Sequence, residues 1–84
     1  MASKDDLKKW VVDALLANGR RASLTDVAKH IWAVHEQDLR ASGDLFYTWQ
    51  YDMRWAANSL RKRDVMKPVV LCPPGIWELW PDSD

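Results

Sequence analysis

A small α+β fold, three helices followed by an antiparallel β-hairpin, is what this sequence predicts, and three observations predict it. Apolar residues recur at three- and four-residue steps in three separate segments, 7–15, 27–39 and 46–60, as they do along the buried side of an amphipathic helix. From Val65 the pattern changes to two short apolar runs separated by Pro73-Pro74-Gly75, which reads as strand, turn and strand. A chain of 84 residues, 48% hydrophobic and 29% charged, has the composition of a globular domain and the length for one core.

The first helix runs from Asp5 to Asn18. Leu7, Trp10, Val11, Ala14 and Leu15 form its stripe, with Lys8, Lys9 and Asp13 off it. Ser3 is the expected N-cap, and Asp5 and Asp6 place negative charge at the positive end of the helix dipole. Asn18-Gly19 ends the helix, because glycine takes the left-handed conformation without steric cost. Ala22-Ser23-Leu24 is too short to stand as a strand alone and is read as a minimal edge for a sheet formed elsewhere. Thr25 is the expected cap of a second helix, reaching about Leu39, with Val27, Ala28, Ile31, Val34 and Leu39 inward. Ala41-Ser42-Gly43 breaks the chain, and Asp44 caps a third helix, 44–63. Val65 to Leu71 is a strand interrupted by Pro68, hence an edge or bulged strand. Pro73-Pro74-Gly75 is the hairpin tip, with Gly75 at positive φ. Ile76 to Trp80 returns with Trp77 and Leu79 toward the helices. Helix, short strand, helix, helix and hairpin, in that order, is a winged helix-turn-helix domain spanning 3–80, followed by an acidic tail, 81–84.

The stretch FYTWQYDMRWAANSLRKR, Phe46 to Arg63, carries the functional signal. At helical spacing Phe46, Trp49, Met53, Ala56, Ala57 and Leu60 fall in an arc about 100° wide, the buried stripe. Tyr47, Gln50, Tyr51, Arg54, Asn58, Arg61 and Lys62 fall in another arc, about 120° wide. Every member of the second arc can donate a hydrogen bond and none is acidic; Asp52 lies outside it. That chemistry suits duplex DNA: Arg pairs with guanine, Asn and Gln with adenine, and Tyr and Lys reach phosphate. The ordinary alternative is a solvated helix face. Trp55 belongs to neither arc, about 140° from the centre of the buried stripe, and is expected to pack under the hairpin.

Charge adds to this picture. The formal net charge is zero, yet Arg54, Arg61, Lys62, Arg63 and Lys67 face only Asp64 between residues 54 and 67, while three acids and no base follow from Glu78 onward. A basic segment and an acidic end cancel in the sum, and Lys67 joins the expected DNA contacts. The six tryptophans are many for one small core, so an exposed indole at a contact between copies, a homodimer, is also expected.

Other chemistries find little here. No apolar run is long enough to span a membrane, and MASKDDLKKW lacks the apolar core of an export signal, so a cytoplasmic location is expected. Cys72 is the single cysteine and reads as a small apolar residue. His30 and His35 are five apart, about 140° from each other around a helix, where a metal pair needs four. No phosphate-cradling glycine loop, nucleophile-base set or carboxylate pair stands out. Neither an enzyme, nor a cofactor, nor a small-molecule substrate is expected.

Thr48-Trp49-Gln50-Tyr51-Asp52-Met53-Arg54-Trp55-Ala56, then Leu60-Arg61-Lys62, then Pro74-Gly75-Ile76-Trp77-Glu78-Leu79, resembles the N-terminal winged-helix domain of Mrr-type restriction proteins. That family tends to show a basic residue before Trp-Ala, a Leu three or four residues on, a short strand and a Gly-x-Trp hairpin. The resemblance covers roughly Leu24 to Leu79. It implies a DNA-binding accessory module with Arg54 on the recognition helix and Trp77 in the hairpin core. Two features depart from the family. Pro74 stands where a base often precedes the glycine, so the neutral tip Cys72-Pro73-Pro74-Gly75 puts a wing-to-phosphate contact in doubt. No nuclease domain follows Asp84, so such a module is expected to act alone, with itself or with a separate protein. The reading is therefore a small DNA-binding regulator or a restriction or phage accessory, with double-stranded DNA as partner. The alternative is a winged helix that binds protein and not DNA.

Overall fold

The computed structural model describes residues 2–81, so most of the expected acidic tail, residues 82–84, lies outside the described residues. The described residues form a small α+β fold: α1 (Asp6–Ala17), β1 (Arg21–Ser23), α2 (Leu24–Arg40), α3 (Leu45–Lys62), a 3-10 turn (Val69–Leu71) and β2 (Ile76–Glu78).

Helix α1 buries the five residues of its stripe, Leu7, Trp10, Val11, Ala14 and Leu15. Its start differs from expectation. The Ser3 hydroxyl does not cap it; the Asp6 carboxylate reaches back to accept from the Ser3 amide at 2.8 Å, and the Ser3 carbonyl accepts from the Asp6 amide at 3.0 Å. The reciprocal pair satisfies end groups that would otherwise have only water. At the other end Gly19 and Arg20 both take positive φ, 78° and 74°. This turns the chain so that the Arg20 amide donates to Leu15 O at 2.7 Å. Gly19 takes this conformation without steric cost, while the left-handed Arg20 is tied down by its amide and by its Nη1, which donates to the Trp80 carbonyl at 3.2 Å.

The cap of α2 is Ser23, not Thr25: the Ser23 hydroxyl accepts from the Asp26 amide at 3.1 Å. Ser23 sits in extended backbone, φ −69° and ψ 156°, the geometry an N-cap requires, because it is also the last residue of β1. Val27, Ile31 and Leu39 are buried as expected, but Val34 is 59% exposed. The inward positions are 27, 31, 35 and 39, four apart. A straight helix drifts about 40° with each such step, and the non-helical His35, φ −119° and ψ 18°, interrupts that drift. His35 then lies flat on Trp10, 3.9 Å between ring centroids.

The link to α3 is tied to the N-terminus. The buried Ser42 hydroxyl donates to the Asp38 carbonyl and accepts from the Ala2 amide at 2.9 Å. Asp44 precedes α3 but makes no side-chain cap bond. Trp49, Met53, Ala56, Ala57 and Leu60 are buried, joined by Leu45, while Phe46 is only half-buried.

After α3 the left-handed Asp64, φ 60°, sends the chain back so that Val65 N donates to Leu60 O at 2.9 Å. β1 and β2 pair antiparallel, Arg21 with Glu78, Ala22 with Trp77 and Ser23 with Ile76. The expected strand 65–71 is reduced to a bridge, Met66 with Leu79, flanked by Lys67 N to Glu78 O at 2.9 Å and Trp80 N to Val65 O at 3.2 Å. Pro68 has no amide to donate, and beyond it Val69 to Leu71 coil into the exposed 3-10 turn. Pro73-Pro74-Gly75 is accordingly a turn into β2, not a hairpin tip: Ile76 N donates to Pro73 O at 3.1 Å, and the Gly75 carbonyl accepts from Leu24 N at 3.1 Å. Trp77, Leu79 and Met66 are buried against the helices.

Candidate functional site

The outward face of α3 displays most of the residues singled out above. Tyr47, Gln50, Tyr51, Arg54, Asn58 and Lys62 are exposed, and Tyr47 and Tyr51 are 83% and 75% exposed. They are held there because Trp49, Met53, Ala56 and Leu60 are locked into the core on the other side of the same helix. Among the described residues Arg54 has no ion pair or hydrogen bond, so its guanidinium keeps all its donors for a ligand.

Two of the expected contacts are placed differently. Arg61 is half-buried; its Nη1 donates to Asn58 Oδ1 at 3.0 Å and its guanidinium lies 5.7 Å from the Trp77 ring centroid. Its Nε is buried without an acceptor. Lys67 pairs with Glu78 across the bridge at 3.4 Å, and its ammonium lies 5.8 Å from the Trp80 ring centroid. Pleat geometry sets this: strand neighbours on one face meet whether or not each is also suited to a partner outside.

Arg54 stands where two clefts meet. One, of about 640 Å³ between α2 and α3, is lined by Ala28, Lys29, Trp32, Trp49, Gln50 and Arg54, among others. The other, of about 260 Å³ between α3 and the 69–77 segment, includes Arg54, Asn58, Arg61, Val69 and Trp77. Lys29 was not among the expected contacts. It lies off the buried stripe of α2 and lines the same cleft as Gln50 and Arg54.

Trp55 is not under the hairpin. It lies against the start of α1, with the Lys4 and Lys8 ammonium groups 4.3 and 4.9 Å from its ring centroid. Asp52, set aside in the sequence as outside the polar arc, is buried. It accepts from the Thr48 hydroxyl at 2.8 Å and faces Lys4 at 3.9 Å. Its neighbourhood with Lys4 spans the N-terminus and α3, and no local pattern could announce it. Of the large apolar side chains near the site, those of the 3-10 turn are more exposed than Trp55: Val70 is 89% exposed and Trp55 36%. Among the described residues no three His, Cys, Asp or Glu side chains gather as a metal site would require, and no helix is long and apolar enough to cross a membrane. No family model, curated protein or solved structure matches the chain.

Proposed function

We propose that the protein is a winged-helix DNA-binding protein, a regulator or a restriction or phage accessory of the Mrr N-terminal type, in which α3 lies in the major groove of double-stranded DNA. The observation that carries this reading is the exposed, acid-free face of α3 with an unpaired Arg54 at its centre. Supporting it are the order of elements and the position of β2 between β1 and the 65–67 segment; in this reading residues 68–75, which connect that segment to β2, serve as the wing. In this reading Gln50, Arg54 and Asn58 meet base edges, and Tyr47, Tyr51, Lys62 and Lys29 meet the backbone. Arg61 orients Asn58, and Lys67 holds the wing to β2.

The test is binding to arbitrary duplex DNA as a function of salt. Phosphate contacts give a steep negative slope of log K against log salt; no binding at low salt rejects the reading. A second reading, a protein-interaction or dimerisation module, is favoured by the exposed Val69-Val70-Leu71 turn, since contiguous apolar surface of this kind marks interaction sites. It takes over if DNA binding is absent.

A further inference from the structure

The cleft between α2 and α3 has the composition of a ligand site, beyond the three residues, Lys29, Gln50 and Arg54, that it shares with the proposed DNA contacts. Its floor is apolar and aromatic, with Ala28 and Met53 beside Trp32, Phe46 and Trp49. The Trp32 and Trp49 indoles lie 11° from parallel with centroids 6.1 Å apart, and Phe46 is tilted 38° to Trp32 at 6.3 Å, so the wall is aromatic. The Arg40 guanidinium, paired with Glu36, lies 5.1 and 5.6 Å from the Trp32 and Phe46 ring centroids, so those two rings already carry one cation. The rest of the lining is Leu24 with Thr25, Lys29, Gln50 and Arg54, and no acid. Neither Lys29 nor Arg54 has an ion pair among the described residues, so two cations border an apolar cleft without a counter-charge. The volume, about 640 Å³, lies within the roughly 300–1,000 Å³ of small-molecule sites. Along α2 the floor runs from Leu24 to Trp32, about 12 Å at helical rise, the length of a fused two-ring system with a carboxylate.

We propose that this cleft binds a planar aromatic anion, its rings on the Trp32–Phe46–Trp49 wall and its carboxylate on the Lys29–Arg54 rim. Charge complementarity and the aromatic lining select this occupant together: a neutral ring leaves Lys29 and Arg54 unpaired, and an aliphatic acid leaves the aromatic lining uncovered. Gln50 and Arg54 also belong to the face proposed to meet DNA, so an occupied cleft withdraws Arg54 from DNA and the ligand acts as a negative effector. That consequence rests on the DNA reading; the binding itself does not.

The experiment titrates naphthoate, and neutral naphthylmethanol as control, into the isotope-labelled protein and follows the indole N–H resonances, with Trp32 assigned through Trp32→Phe. The expected result is saturable shifts of the Trp32 and Trp49 signals, with naphthoate binding more tightly than the alcohol. Lys29→Gln/Arg54→Gln should weaken naphthoate about tenfold or more, the scale of a lost charge-assisted bond, and leave the alcohol unchanged. Ala28→Trp, which fills the cleft and keeps both charges, should abolish both. Absence of saturable shifts, equal affinity for the two probes, or full naphthoate affinity in the double variant overturns the proposal. So does failure of naphthoate where an acidic amphipathic peptide saturates the same signals. In a DNA competition, naphthoate should raise the apparent Kd of the wild type. A protein that binds naphthoate but never binds DNA leaves the cleft proposal standing and removes the DNA reading.

Discussion

Arg54 and Lys67 are both bases of the same stretch, and their surroundings separate them. Arg54 is exposed and unpaired among the described residues, so Arg54→Ala should cost about 1–3 kcal/mol of DNA affinity and flatten sequence preference if it pairs with a base. Competition between defined duplexes measures both effects. Lys62 is exposed near the end of α3; Lys62→Ala should weaken all sequences alike and lower the salt slope by about one. Lys67 is held by Glu78 at 3.4 Å in a half-buried pair. Lys67→Ala should therefore leave the salt slope unchanged and lower stability by about 1 kcal/mol, read by urea denaturation. A fall in slope for Lys67→Ala would show that the pair opens on DNA.

At the scale of the element, helices α2 and α3 are fixed by their core sides and not by propensity. Leu60, 5% exposed, packs the end of α3 on the core, and Leu60→Ala should cost about 2–5 kcal/mol, the range for truncating a core leucine. Val34 shares the apolar chemistry but faces solvent, and Val34→Ala should stay within about 0.5 kcal/mol. Comparable losses for the two would mean that Val34 is not exposed in solution. Ser23 is both the last residue of β1 and the cap of α2, so Ser23→Ala should cost about 0.5–2 kcal/mol in thermal or urea unfolding, and Thr25→Ala much less.

The sheet joins the two ends of the molecule: β1 follows α1, and β2 lies near the end of the chain. One core with these long-range contacts is expected to unfold in a single transition, with helical and tryptophan signals lost together. At this scale the DNA reading also has a quantity attached. Lys29, Lys62 and Arg63 are exposed, and three phosphate contacts correspond to a salt slope of about −3. A slope near zero would show that the neutral net charge governs and that the face meets protein.

The residues themselves determined the three helices, the break at Gly19, the inward Trp77 and Leu79, and the two faces of α3, because each rests on spacing within one element, where backbone period alone decides which side chains share a face. Only the tertiary structure decided where those faces lead. Val34 is exposed, and after the non-helical His35, stacked on Trp10, it is Leu39 that is buried. Strand 65–71 shrank to a bridge because Pro68 lacks an amide, and its exposed continuation coiled into a 3-10 turn. Trp55 met Lys4 and Lys8 at the start of the chain, Asp52 met Lys4, Lys67 met Glu78, and Lys29 came to line one cleft with Arg54. These last four are meetings of different segments of the chain, set by how the elements pack, and local periodicity carries no record of them.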